Sequence, residues 1–133
     1  TMYCVGVDYK NLNLLKEFIG NNKNNNFRYY ESRKFECIEN HISTNLYYDG
    51  DICVGYGHLD FEEKVWLGIL VDSNCKGKGY GNIILDDLIS KSKTDIHLTV
   101  DKDNLIAKNL YLKKKFEILE EKEKHFLMIK KMS

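Results

Sequence analysis

The chain has no excess of charge: 20 basic residues stand against 20 acidic ones over 133 positions. A nucleic-acid partner held by a broad basic surface is therefore not expected. No apolar run approaches the roughly 20 residues of a bilayer-spanning helix, so no membrane segment is expected. No leader pattern precedes the first expected strand, and the expected location is the cytoplasm. Paired cysteines are also missing. Cys4, Cys37, Cys53 and Cys75 are scattered without a C-x-x-C spacing. That argues against a zinc site or a disulfide framework and for thiols in a reducing cytosol. Cys75 is the thiol placed to be reactive, yet no His–Asp pair accompanies it in sequence. With no internal repeat and no linker-like stretch, residues 1–133 read as one domain.

What is present centres on residues 65–91. Residues 65–71, VWLGILV, form a short apolar run ending at Asp72-Ser73-Asn74, which reads as a buried strand and a turn. Gly77, Gly79 and Gly81 then alternate with Lys76, Lys78 and Tyr80. Ile83, Ile84, Leu85, Leu88 and Ile89 follow at the spacing of one helical face. Strand, glycine loop and helix together make an anion seat. Glycines allow positive φ and close approach of a ligand, and a helix start offers unpaired N–H groups. Neither a Walker loop nor a G-x-G-x-x-G fingerprint is present.

Around this unit, residues 2–7 read as a strand, and Leu12, Leu14, Leu15, Phe18 and Ile19 as a helix stopped by Gly20. The asparagine-rich residues 21–26 read as a mobile loop. Phe27, Tyr29 and Tyr30 flank Arg28. They are either core and rim aromatics, or a group in which Arg28 and a tyrosine hydroxyl orient a polar acceptor. Ser32 is placed to cap a short helix over residues 33–41, with Phe35, Ile38 and Cys37 inward. Residues 44–48 and 51–59 form an expected hairpin with Asp49-Gly50 in a type I′ turn. Gly55 and Gly57 mark a bulge or a close approach, and residues 60–64 another turn. Residues 95–100 form a strand, followed by a helix capped by Asp103 or Asn104 with Leu105, Ile106, Leu110 and Leu112 apolar and Ala107 small. Residues 116–120 and 125–129 close the chain as two strands, and the order of elements favours α+β.

Two motifs carry a family resemblance. Lys76-Gly77-Lys78-Gly79-Tyr80-Gly81 resembles the R/Q-x-x-G-x-G/A signature of the GNAT superfamily of N-acetyltransferases. Residues 98–116 are similar to that family's strand followed by N-x-x-A-x-x-L-Y-x-x-x-G-F, with Asn104, Ala107, Leu110, Tyr111 and Phe116 in place. Lys115 departs from the usual glycine, so the helix must end differently or strain Lys115. Lys76 replaces Arg or Gln without offering a planar fork.

The resemblance implies a mixed, mostly antiparallel sheet flanked by helices, with a splayed acetyl-CoA cleft beside the central strand. It implies that Ile69, Leu70 and Val71 meet the acetyl and pantetheine groups, that residues 76–81 hold the pyrophosphate, and that Asn104 and Ala107 border the pantetheine arm. Tyr111 takes the position of the general acid, protonated at neutral pH with an ordinary pKa of about 10. His58 has the intrinsic pKa of a base, about 6.5, with Glu62 and Glu63 as alternatives through a water. Arg28, Tyr29, Tyr30 and Trp66 are expected to bind the acceptor, with Tyr56 in the same aromatic wall. The expected acceptor is a small-molecule amine, an amino sugar or a nucleotide-linked one leading; a metabolite or protein amine, or a silent acyl-CoA-binding module, are the alternatives. No metal cofactor is expected, and the chain is expected to act as a monomer or homodimer.

Overall fold

The computed structural model describes residues 1–23 and 26–133. The chain forms strands β1 (Met2–Gly6), β2 (His41–Asp49), β3 (Ile52–Glu62), β4 (Lys64–Val71), β5 (Ile96–Asp101), β6 (Glu117–Glu121) and β7 (His125–Lys130). Among the described residues three α-helices, α1 (Leu12–Gly20), α2 (Tyr80–Ser90) and α3 (Leu105–Lys113), interrupt them. The strands form one sheet in the order β1-β2-β3-β4-β5-β7-β6. Every neighbouring pair is antiparallel except β4 and β5, which are parallel. The fold is α+β, as expected. Among the described residues, no helix is long and apolar enough to cross a membrane.

Each face of the sheet buries its own apolar cluster. Leu12, Leu15 and Phe18 of α1 pack with Ile38, Leu46, Tyr56 and Leu70 on one face. Ile84, Leu85 and Leu88 of α2 pack with Leu59, Val65, Leu67, Leu98, Tyr111 and Phe116 on the other. Gly55 and Gly57 make the second contact possible. A Cβ on Gly55 would collide with Ile84 Cδ1, and one on Gly57 would lie 2.8 Å from Leu88 Cδ1. A register shift between Tyr47 and Tyr48 beside them supplies the bulge as well.

Several local expectations are corrected. Asp49 pairs with Ile52, so the hairpin's central residues are Gly50 and Asp51, and Gly50 alone has positive φ (+60°). That is the pattern of a type II′ turn, not type I′. Residues 60–62 belong to β3, and the reversal is confined to Glu63, at φ +63° between the paired Glu62 and Lys64. Gly20 lies inside α1, which is capped by Asn21 in a right-handed conformation. Asn22, expected in a mobile loop, is buried: its Nδ2 donates to Phe18 O at 2.9 Å, and its Oδ1 accepts from Ser73 N at 2.9 Å. The carboxamide has both a donor and an acceptor to satisfy, so it ties α1 to the turn after β4. Of that expected loop, residues 24 and 25 lie outside the described residues. In place of a helix over 33–41 there are two 3-10 turns, Tyr29–Glu31 and Phe35–Asn40, the second capped by Lys34 and not by Ser32. Ile38 is buried there, and Phe35 and Cys37 half-buried.

Of the apolar stripe expected on α3, only Leu110 packs inward. Leu105, Ile106 and Leu112 are exposed, Ile106 at 87%. The inward face is instead Ala107, Leu110 and Tyr111, which share one side of the helix at i, i+3 and i+4. A Schellman motif ends this helix: Phe116 N donates to Tyr111 O at 3.0 Å and Lys115 N to Leu112 O at 3.1 Å. The Tyr111 and Phe116 rings, 5.7 Å apart, supply the accompanying apolar contact. The motif needs a left-handed residue, and Lys115 takes it at φ +72°. For a residue with a Cβ this costs about 1–2 kcal/mol. Because Lys115 is exposed, nothing packed is lost on truncation. Lys115→Gly should stabilise the fold by about 1 kcal/mol and raise Tm by about 4 °C in thermal denaturation. An unchanged or lower Tm would show that Lys115 is not strained.

Candidate active site

β4 and β5 pair only at Val65–Ile96 and Trp66–His97. Beyond Trp66, β4 continues to Val71 with β3 as its partner, while β5 continues to Asp101 with β7. A wedge therefore opens between residues 67–71 and 98–101, beside the strand where a cleft was expected. The backbone groups of Ile69, Leu70 and Val71 that would have entered a β5 ladder border it, and they require partners if they are not to be left unpaired. Gly81 lies where α2, α3 and β4 meet. A Cβ there would stand 3.4 Å from Leu110 Cδ2 and 3.7 Å from Val71 Cγ2.

The loop that leaves β4 is held at its start and open at its end. Asp72 Oδ2 accepts from Asn74 N at 3.0 Å, and Asp72 N donates to Val54 O at 2.8 Å. Gly77 (φ +79°) and Gly79 (φ +84°) are left-handed, with open space where side chains would project. Gly79 stands at the N-cap of α2, and among the described residues no side chain caps the helix start. The amides of the first turn, from Tyr80 and Gly81 onward, thus keep their capacity for an anion at the positive end of the helix dipole. Lys76 and Lys78 stand exposed beside them. The Tyr80 hydroxyl donates to Asp49 Oδ2 at 2.6 Å, so only its backbone amide is oriented for the loop. Cys75 is buried, and burial raises its thiol pKa, so the reactive character expected of it is not found.

On the far side of the wedge, Asn104 Oδ1 caps α3 by accepting from Ala107 N at 3.4 Å. Tyr111 is buried, and burial alone pushes its pKa above the ordinary value. Among the described residues its hydroxyl has no hydrogen-bond partner.

On the α1 face, β3 carries a line of polar groups. Tyr30 Oη and Tyr56 Oη are 2.6 Å apart, Tyr56 Oη and His58 Nδ1 2.7 Å, and His58 Nε2 and Asp60 Oδ2 3.1 Å. His58 is 1% exposed, and burial lowers its pKa although Asp60 pulls the other way. Its imidazole lies across Gly68, where a Cβ would collide with the ring. His41 stands beside it, bonded to Tyr29 Oη and Thr44 Oγ1 at 2.8 Å each. Phe27, Tyr29 and Tyr30 close around this line, with the Tyr29 ring 4.3 Å and the Phe27 ring 6.2 Å from His58.

The structure separates other expected partners. Arg28 makes a two-pronged ion pair with Asp101, at 3.0 and 3.1 Å, which ties the aromatic segment to the end of β5. Its charge is therefore partnered by a carboxylate, while its side chain stays exposed. Trp66 sits at the closed foot of the wedge, its ring 5.5 Å from His97 and its Nε1 donating to Glu62 O at 3.2 Å. It makes no ring contact with the Phe27–Tyr30 group among the described residues. Glu62 faces Arg33 at 3.6 Å, and Glu63 occupies the turn tip. Sequence reasoning missed His41, Asp60 and Gly68. The alternation of Tyr56, His58 and Asp60 along β3 was the available signal, hidden by placing Asp60 in a turn.

Comparison with known proteins accords with this geometry. The family model described as "Acetyltransferase (GNAT) family" matches residues 12–116. No curated protein matches the chain by sequence. Among solved structures, Arabidopsis thaliana Naa50 in complex with the bisubstrate analogue CoA-Ac-MVNAL is 26% identical, with TM-score 0.78 over 98% of this chain and 99% of that one. A putative acetyltransferase, yncA of Salmonella typhimurium, solved with its cofactor acetyl-CoA, is 13% identical, with TM-score 0.79 over 100% and 95%. The spermidine/spermine N-acetyltransferase SpeG of Vibrio cholerae is 14% identical, with TM-score 0.76 over 98% and 93%. With the family's domain spanning most of its length, the chain belongs to the GNAT acetyltransferases, enzymes of acetyl-CoA-dependent acyl transfer.

Proposed function

We propose that the protein moves the acetyl group of acetyl-CoA to a primary amine by direct attack in a ternary complex. The observation that carries this reading is the parting of β4 from β5 directly ahead of two left-handed glycines and a helix start with glycine at its N-cap. In this reading the amides of residues 76–81 hold the pyrophosphate. Backbone groups of Ile69, Leu70 and Val71 take the acetyl carbonyl and pantetheine amides, with Asn104 and Ala107 along the opposite border. The amine nitrogen forms a bond to the carbonyl carbon while the carbon–sulfur bond breaks. Tyr111 donates its phenolic proton to the departing thiolate. Its dry surroundings keep it protonated at working pH and favour a neutral thiol over a thiolate. The proton lost by the amine passes through the Tyr30 and Tyr56 hydroxyls to His58, which burial keeps neutral and Asp60 orients.

The acceptor we propose is an amino sugar, whose ring suits the wall of Phe27, Tyr29, Tyr30 and Tyr56. A nucleotide-linked sugar draws no support from Arg28, because Asp101 already pairs with it. Thiol release should be highest with amino sugars in a panel that includes nucleotide-linked sugars, polyamines, amino acids and peptides. Turnover confined to another class replaces this acceptor, and acetyl-CoA binding without turnover on any of them favours a silent binding module.

Tyr111→Phe should lower kcat by about 10²–10⁴-fold with little change in acetyl-CoA affinity. Equal turnover in the two proteins would remove Tyr111 from the reaction. With the rate expressed per unit of unprotonated acceptor amine, the pH profile should stay level as pH falls through about 6.5, the ordinary histidine value. It should decline only below that, as protonation of His58, whose pKa is lowered, removes the acceptor form. His58→Ala should abolish that acidic limb; a variant that retains it excludes His58.

A further inference from the structure

Folding brings one metal-ligating side chain of β2 up to two on the neighbouring β3. His41 opens β2, whereas His58 and Asp60 alternate on one face of the neighbouring β3. One donor atom from each lies within 4.8 Å of the other two. The imidazole rings are stacked, 4.6 Å apart with 28° between their planes, so one ring must swing for both in-plane lone pairs to meet one ion.

The surrounding bonds orient the donors. Thr44 Oγ1 holds His41 Nδ1 at 2.8 Å, and Tyr56 Oη holds His58 Nδ1 at 2.7 Å. Each ring thus has its outer nitrogen anchored and its Nε2 turned inward, as outer partners fix metal-binding imidazoles. Asp60 is 4% exposed, and its Oδ1 has no hydrogen-bond partner among the described residues. A buried carboxylate oxygen without a donor is costly unless a cation meets it. Alongside lies a cavity of about 200 Å³ bordered by Tyr29, Cys37, His41, Asp60 and Glu62. Cys37 Sγ stands 4.0 Å from His41 Nε2.

We propose that His41, His58 and Asp60, with Cys37 as fourth donor, bind a divalent transition-metal ion of the zinc type. Two imidazoles, a carboxylate and a thiolate form the mixed nitrogen, oxygen and sulfur set that zinc accepts in tetrahedral geometry. Magnesium and calcium, which prefer oxygen donors, fit it poorly. Binding draws the donors together, moves the Tyr29 hydroxyl off His41 Nε2 and releases the Cys37 thiol proton to solvent. An ion on His58 Nε2 also leaves its Nδ1 as a donor to Tyr56, which closes the proton route. That last consequence alone rests on the mechanism proposed above.

The test is titration of the chelator-treated full chain with Co²⁺ and then Zn²⁺. One equivalent of Co²⁺ should give the intense visible spectrum of a tetrahedral site with a sulfur-to-metal band, and Zn²⁺ should displace it. Asp60→Asn and His41→Gln should each weaken binding at least tenfold. Cys37→Ser, a half-buried position, should remove the sulfur band while the fold is retained by circular dichroism. Failure of the wild-type chain to bind at micromolar protein, or binding unchanged in Asp60→Asn and Cys37→Ser, overturns the site. Stoichiometric binding without inhibition of acetyl transfer upholds the site and removes the proton route through His58.

Discussion

The parted pair of β4 and β5 is the constraint on which the rest of the molecule depends. A parallel pair begins at Val65 and Trp66 and then stops, although both strands continue for several residues. Each strand keeps its outer neighbour, so the sheet stays continuous while backbone groups along one gap are turned toward a ligand. A peptide-like arm with its own amides is the natural filling for such a gap, because it can replace the missing ladder bond for bond. The same parting brings the start of α2 and the flank of α3 to one mouth, with Gly81 permitting their approach.

The two faces of the sheet divide the chemistry. On the α2 face the surroundings are apolar, and they determine the state of Tyr111 by desolvation alone. On the α1 face a row of hydroxyls, imidazoles and a carboxylate replaces part of the core. Such buried polar rows are tolerable only when nearly every atom has a partner. This one is satisfied from Tyr30 through His58 and fails at Asp60 Oδ1, and that failure makes Asp60 informative. Arg28 and Asp101 then fasten the aromatic segment over this face, a structural use of that charge.

Much of the fold was legible because local rules determine it. The apolar run at 65–71, the alternating glycines and the helical spacing after them required no tertiary information, and Lys115 announced its strain by occupying a glycine position. Local rules failed where a long-range contact decided the outcome. Asn22 reads as loop material, but its carboxamide finds the turn after β4 some fifty residues away. Leu105 and Ile106 read as core, but Tyr111 sets the phase of α3 and leaves them outside. Asp60 reads as a turn residue because carboxylates are seldom buried, and only the continued pairing of β3 with β4 carries it inside.

By itself, the sequence determined the order of elements, the glycine loop with its capacity for an anion, and the positions of Asn104 and Tyr111 on one helix. Those features depend on φ preferences and on periodicities of two and 3.6, which operate within a few residues. Tertiary structure alone decided that β5 leaves β4 after Trp66, that Arg28 is paired, and that His41 stands beside His58 and Asp60. Those outcomes arise from pairing between strands and from charges seeking partners across the sheet. Such distances are set by packing, and no spacing along the chain records them.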